Sequence, residues 1–122
     1  MNSQHVTVVY KWIAKPGKLE ALRDIYAQVT RDMENNEPGA LGVHCYVSKE
    51  ENALYVRDEF QDAGAVGFHL GSTAAAHFPS LLAIAAPGPF LFFGEVPQEI
   101  QQATRQMGLA SEFASHAYGY DR

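Results

Sequence analysis

The sequence predicts an α+β fold. Two strand-like runs, residues 41–48 and 53–60, are separated only by the polar residues Lys49, Glu50, Glu51 and Asn52, so they pair as an antiparallel hairpin. A helical apolar stripe precedes them, and a second helical segment and a further strand follow. With an opening strand at residues 6–13 the order is βαββαβ. That is the split β-α-β pattern of ferredoxin-like domains, a four-stranded antiparallel sheet with both helices on one face.

Each element has its own local reason. Residues 6–13 are rich in Val, Tyr, Trp and Ile, and Lys15-Pro16-Gly17 ends them in a turn. Helix one is expected over residues 18–35, with Leu19, Leu22, Ile25, Tyr26, Val29 and Met33 on one stripe and Glu37-Pro38-Gly39 as its stop. In strand two, Leu41, Val43, Cys45 and Val47 share one face, and Gly42, His44 and Tyr46 the other. In strand three, Leu54, Val56, Asp58 and Phe60 oppose Ala53, Tyr55, Arg57 and Glu59. Asp62 is placed to cap a helix carrying Val66, His69 and Leu70, which Gly64 and Gly67 each weaken by roughly 1 kcal/mol relative to Ala. Ser72 marks a further turn, and Pro79 interrupts or restarts the helix before residues 81–86. Pro87-Gly88-Pro89 reads as a break, and residues 90–96 as strand four. From Pro97 a helical extension follows, with Ile100, Ala103 and Met107 on a stripe, Gly108 as its end, and a tail bearing Phe113, His116, Tyr118 and Tyr120. The whole chain is read as one domain, core 6–96 and extension 97–122.

The 122 residues are 47% hydrophobic and 19% charged, which is ordinary for a globular domain and argues against disorder. A net charge of −5 without any Lys/Arg run argues against nucleic acid and against an anionic membrane surface. The start, Met-Asn-Ser-Gln-His, lacks the basic-then-apolar order of a signal peptide, and the longest apolar run, residues 81–86, is too short to span a bilayer. Cys45 is the sole cysteine, so it has no internal partner; it reads as a small core residue of a cytoplasmic protein.

If the Leu/Val/Cys positions pack on the helices, the other sheet face carries His44, Tyr46, Tyr55 and Arg57. A face that is neither polar nor apolar is usually covered, which predicts a homodimer with two sheets face to face.

These residues resemble the antibiotic biosynthesis monooxygenase family, whose members are dimeric α/β barrels. The likeness covers about residues 6–96 and rests on residues 8–18 with their Lys15-Pro16-Gly17, on Glu37-Pro38-Gly39 after the first helix, and on Asp58-Glu59-Phe60 followed by Ala65 and His69. Asp58 and Phe60 stand where the family commonly has Glu and Trp, and His77 is displaced from the family's second histidine by extra alanines. The resemblance implies oxidation of a small electron-rich aromatic, such as a quinol or polyketide-like phenol, by O2 without metal or flavin. Such chemistry asks the protein for a base, an apolar pocket and donors for an oxyanion.

His69 is the candidate catalytic base, because a near-neutral imidazole accepts a proton at neutral pH. His44, Tyr46, Tyr55, Arg57, Trp12 and His77 are the candidate substrate-binding residues. Tyr10 and Trp12 share a face of strand one as core or pocket wall, and Asp58 is either a buried orienter for a histidine or a solvent-facing acid. Arg57 is also placed to pair with an acid such as Glu59 across an interface. His69 and His77 are eight residues apart, not the three or four of a helical metal pair, so no metal site is expected. No phosphate-cradling glycine motif occurs, and Ser72 and Ser80 lack a nucleophile elbow. The competing readings are a non-catalytic small-ligand module, a small isomerase using the same base, and a haem-binding member of the fold. In the last, Tyr10, His69 and approximately His77 stand at the expected positions, and only the histidine agrees.

Overall fold

The computed structural model describes residues 4–122; Met1–Ser3, which belong to the leader expectation, lie outside the described residues. The chain opens with β1 (Val6–Ala14), in which Val6, Val8, Tyr10, Trp12 and Ala14 turn inward as the alternation requires. Lys15-Pro16-Gly17 turns the chain, with Gly17 at φ 76°, into α1 (Leu19–Asn36). Leu22, Tyr26, Val29 and Met33 of α1 are buried at steps of four, three and four residues.

The hairpin forms as its sequence demands. β2 (Ala40–Ser48) pairs antiparallel with β3 (Ala53–Phe60), His44 opposite Arg57 and Tyr46 opposite Tyr55. Asn52 closes the turn at φ 54° and ties it to β1 by donating from its amide to the Ala14 carbonyl at 2.9 Å. β3 also pairs antiparallel with β1. Asp62 caps α2 (Ala63–His69), its Oδ1 accepting from the Ala65 N–H at 2.9 Å. The helix does not stop at His69. It widens into a π-helical turn, Leu70–Ala74, and continues as α3 (Ala75–Ile84), which carries Pro79 inside it.

The fourth strand is in two pieces, β4 (Ala85–Pro87) and β5 (Phe90–Phe93), both antiparallel to β1. The expected helix over 81–86 therefore ends at Ile84, and Pro87-Gly88-Pro89 is a kink within a strand line. The Gly88 N–H still donates to the Lys11 carbonyl at 2.8 Å across that kink. The extension supplies the predicted helix, α4 (Gln98–Gln106), and an unpredicted strand, β6 (Ser111–Ala114), which runs parallel to β5. The sheet order is β2-β3-β1-β5-β6, with β4 also on β1. The ferredoxin-like core is as expected; the four-stranded antiparallel sheet is a six-stranded mixed one.

One sheet face packs against the helices and holds the core, in which Trp12, Phe60, Phe92, Leu22 and Met33 are fully buried. The opposite face stays open and carries Val9, Lys11, His44, Tyr46, Tyr55, Arg57 and Leu91 in mutual register. β2 is an edge strand that α1 covers only in part, so Cys45 is exposed and not the core residue its neighbours suggest. Among the described residues no helix is long and apolar enough to cross a membrane.

Candidate functional site

Between β1 and β5 on one side and α1, α2, the π-turn and α3 on the other lies an apolar cavity of about 40 Å³. Tyr10, Trp12, Tyr26 and His69 bring its polar atoms, and Phe78 and Met107 are among the apolar walls. A dry cavity of roughly 150 Å³ holds benzene, so this one admits an aromatic ring only if a wall residue gives way.

His69 is buried at the C-terminal end of α2, where a histidine suits the helix dipole. Its Nδ1 lies 2.9 Å from Oε2 of Glu37, which is buried deeper still. A carboxylate at Nδ1 places the ring proton there and leaves the lone pair on Nε2, which has no hydrogen-bond partner among the described residues. Glu37 is the C-cap of α1, and its loop runs close against α2 because residue 39 is glycine. A Cβ on Gly39 would stand 2.7 Å from the Ala65 Cβ. Steric room thus decides whether acid and imidazole meet.

A second polar chain borders the same cavity. Trp12 Nε1 donates to the Tyr26 hydroxyl at 2.9 Å, Tyr26 donates to the Tyr10 hydroxyl at 3.3 Å, and Tyr10 donates to Asp58 Oδ2 at 2.9 Å. Burial pushes the Asp58 carboxyl up to about 6, against the opposing pull of His69. Burial, then the Asp58 charge, pushes the Tyr10 phenol well above its ordinary range; Tyr26 is raised by burial too. Both phenols therefore stay protonated donors at neutral pH. Oδ1 of Asp58 and Oε1 of Glu37 are buried without a hydrogen-bond partner among the described residues.

The structure brings together His69 and Trp12 and separates the other candidates. His44, Tyr46, Tyr55 and Arg57 lie across the sheet from the cavity, because their alternation puts them on the open face. Tyr55 donates to Glu51 at 2.7 Å, and Arg57 stands 3.8 Å from Glu59 of its own chain. His77 pairs through Nε2 with Asp32 of α1 at 2.7 Å and lines no part of the cavity. That bond lowers the Asp32 carboxyl pKa. Asp58 is the buried acid of the two alternatives, but it orients Tyr10 and no histidine. The haem arrangement is not assembled either, since His77 points to Asp32 and the cavity is far smaller than a porphyrin.

Glu37 and Tyr26 are the site residues that sequence reasoning passed over. Glu37 read as part of a helix stop. Its signal was an acid at the C-terminal end of a helix with no basic residue in its last turn, a place where a carboxylate is disfavoured unless something else holds it. Tyr26 had no signal beyond its place on the apolar stripe.

Known structures share this architecture. MupZ from Pseudomonas fluorescens superposes with a TM-score of 0.79 at 17% identity, over 98% of this chain and 95% of its own. SnoaB, a cofactor-independent oxygenase from Streptomyces nogalater, gives 0.65 at 15% identity over 78% and 96%. Rv0793 from Mycobacterium tuberculosis gives 0.66 at 15% over 77% and 97%. Among curated proteins none matches the chain. The antibiotic biosynthesis monooxygenase family model matches residues 5–79, more than half of the chain, including the β1–β3 sheet core, Glu37, Asp58 and His69. On that match, with the fold to support it, the chain belongs to the antibiotic biosynthesis monooxygenase family.

Proposed function

We propose that the protein is a cofactor-independent monooxygenase acting on a small electron-rich phenol or quinol. The observation that carries this is the buried Glu37–His69 pair, whose imidazole lines an apolar cavity also bordered by the Tyr10 and Tyr26 phenols. Nε2 takes the phenolic proton, and Glu37 steadies the imidazolium that forms. The phenolate passes an electron to O2, the resulting radical pair joins as a carbon-bound peroxide anion, and the proton held on His69 returns to it, giving the hydroperoxide and the neutral imidazole. Loss of water leaves one oxygen atom in a quinone product and the other in the water. The Tyr10 and Tyr26 protons are engaged, by Asp58 and by Tyr10, so a developing oxyanion draws on them only when one of these hydroxyls turns from that chain toward it, the longer 3.3 Å Tyr26 bond being the readier to give. Met107, Phe78 or a neighbour must move to admit a ring, which also keeps bulk water out. The oxygenase SnoaB, with the same fold, supports the reading without fixing the substrate.

The proposal includes a homodimer through the open sheet face, on which Ile13, Tyr46 and Phe93 are exposed, and a reducing, cytoplasmic setting in keeping with the one unpaired cysteine. Oxygen uptake with a panel of hydroquinones and phenols tests the chemistry. His69→Ala is expected to lose about 10²- to 10⁴-fold in rate, the usual worth of a general base, and Glu37→Gln a smaller part of it. Undiminished uptake by His69→Ala would refute the assignment. The second reading, a ligand-binding module without catalysis, has the small cavity in its favour; it predicts binding of aromatics and no uptake above the uncatalysed rate.

A further inference from the structure

The cavity wall is not made by the βαββαβ core alone. Met107, the C-cap of α4, and Leu109, three residues short of the β6 centre, close it from the C-terminal extension. The extension is built into the domain. Ile100 of α4 lies 3.4 Å from where a Cβ on Gly67 would be, so α4 rests on the helix that ends in His69. Thr104 is fully buried, and its carbonyl accepts from the Leu109 N–H at 3.2 Å. The Phe90 N–H donates to the Ala110 carbonyl at 2.8 Å, and Phe113 of β6 stacks on the cavity residue Phe92 with ring centres 4.9 Å apart.

Twenty-six of the 122 residues, from Pro97 on, form this segment. That is about the share of the chain that the SnoaB and Rv0793 structures leave unmatched, whereas the MupZ structure spans nearly all of it. The family model ends at residue 79, before either wall residue. The two wall residues differ in freedom. Leu109 is buried and held by the backbone bonds on both sides of it. Met107 is half-buried and unbranched, with a side chain that rearranges at low cost. Of these two, Met107 is the one free to yield, and a single unbranched side chain vacates less space than a fused pair of rings needs in so small a cavity.

We infer that Met107 and Leu109 are the specificity-determining residues of this cavity, limiting its ligand to a single-ring phenolic aromatic and excluding fused-ring ones. The aromatic class of the ligand rests on the function proposed above; the size limit does not.

The chain's single tryptophan lines the cavity, so the one indole N–H resonance in a proton–nitrogen NMR spectrum reports occupancy without turnover. The probes are p-cresol and 2-naphthol under argon. In the unmodified protein p-cresol is expected to shift the Trp12 resonance saturably, with 2-naphthol at least tenfold weaker. Met107→Ala, or Leu109→Ala, is expected to strengthen 2-naphthol tenfold or more. Met107→Phe, which fills the wall and does not open it, is expected to weaken p-cresol. Dispersion of the remaining resonances confirms that each variant folds. Equal affinity for the two probes in the unmodified protein, or a ratio unmoved by every one of these variants, overturns the inference. Size-selective binding without oxygen uptake overturns the monooxygenase reading alone; oxygen uptake with size-blind binding overturns this one alone.

Discussion

Asp58 titrates in a window that makes its burial measurable. Burial raises its folded-state pKa from the ordinary 3.8 to about 6. Over that interval the folded protein keeps a proton that the unfolded chain has released. The stability this contributes is complete below about pH 4 and is lost as pH rises through about 6, on the order of 3 kcal/mol. Asp58→Asn keeps a carbonyl oxygen for Tyr10 and carries no charge. In urea unfolding the variant is therefore expected to gain on the parent by about that amount between pH 4 and pH 8; a constant gap would show that Asp58 does not titrate there. At this scale the sequence was legible where one residue carries one job. His69 stands out because an imidazole on an otherwise apolar helix is conspicuous. Its partner was hidden, since Glu37 and His69 are 32 positions apart and meet only through the packing of a loop on a helix. The pocket residues were assigned to the wrong side of the sheet for a related reason. Alternation sorts side chains into two faces but does not say which face borders a cavity, so His44 and Tyr55 were joined to a histidine that lies beyond the strands.

Loops and helices place the pair more than the strands do. Gly39 packs its loop on α2 so closely that a methyl group there meets Ala65 at 2.7 Å. Gly39→Ala is expected to shift that loop and destabilise the protein by about 1–3 kcal/mol, the usual cost of overpacking. Gly42→Ala, with nothing within 4 Å of its new methyl, serves as the control in the same denaturation experiment. A Gly39→Ala protein as stable as that control would show the loop to be slack. The elements themselves read well where periodicity is long: α1 and the β2–β3 hairpin lie within a residue of their expected bounds. The fourth strand and β6 did not, because each piece is only three or four residues long. Pairing to a neighbour, β1 for one and β5 for the other, supplies what local propensity lacks there.

At the scale of the molecule the two sheet faces divide the work. The helix-covered face holds the cavity, and the open face offers Ile13, Tyr46 and Phe93 beside charged Lys11 and Arg57. With the catalytic candidates behind the sheet, association through the open face leaves the cavity's chemistry within one protomer. Sedimentation equilibrium is expected to give twice the 13.4 kDa chain mass, and Tyr46→Glu with Phe93→Glu the single mass. Retention of the double mass in that variant would move the interface elsewhere. The variant is also expected to keep its affinity for cavity ligands, since neither residue lines the cavity.

The π-helical turn at Leu70–Ala74 has a geometric consequence for the cavity. Val66, Leu70, Ala74 and Phe78 all line it, spaced at intervals of four. In an unbroken α-helix each such interval advances about 40° beyond a full turn, so three of them carry the last side chain about 120° around the cylinder from the first. The wider winding of the π-turn absorbs most of that drift, which is how Phe78 stays in phase with Val66. The surplus residue in the helix is thus an angular correction, keeping aligned a row of side chains that regular winding would spiral away from the imidazole.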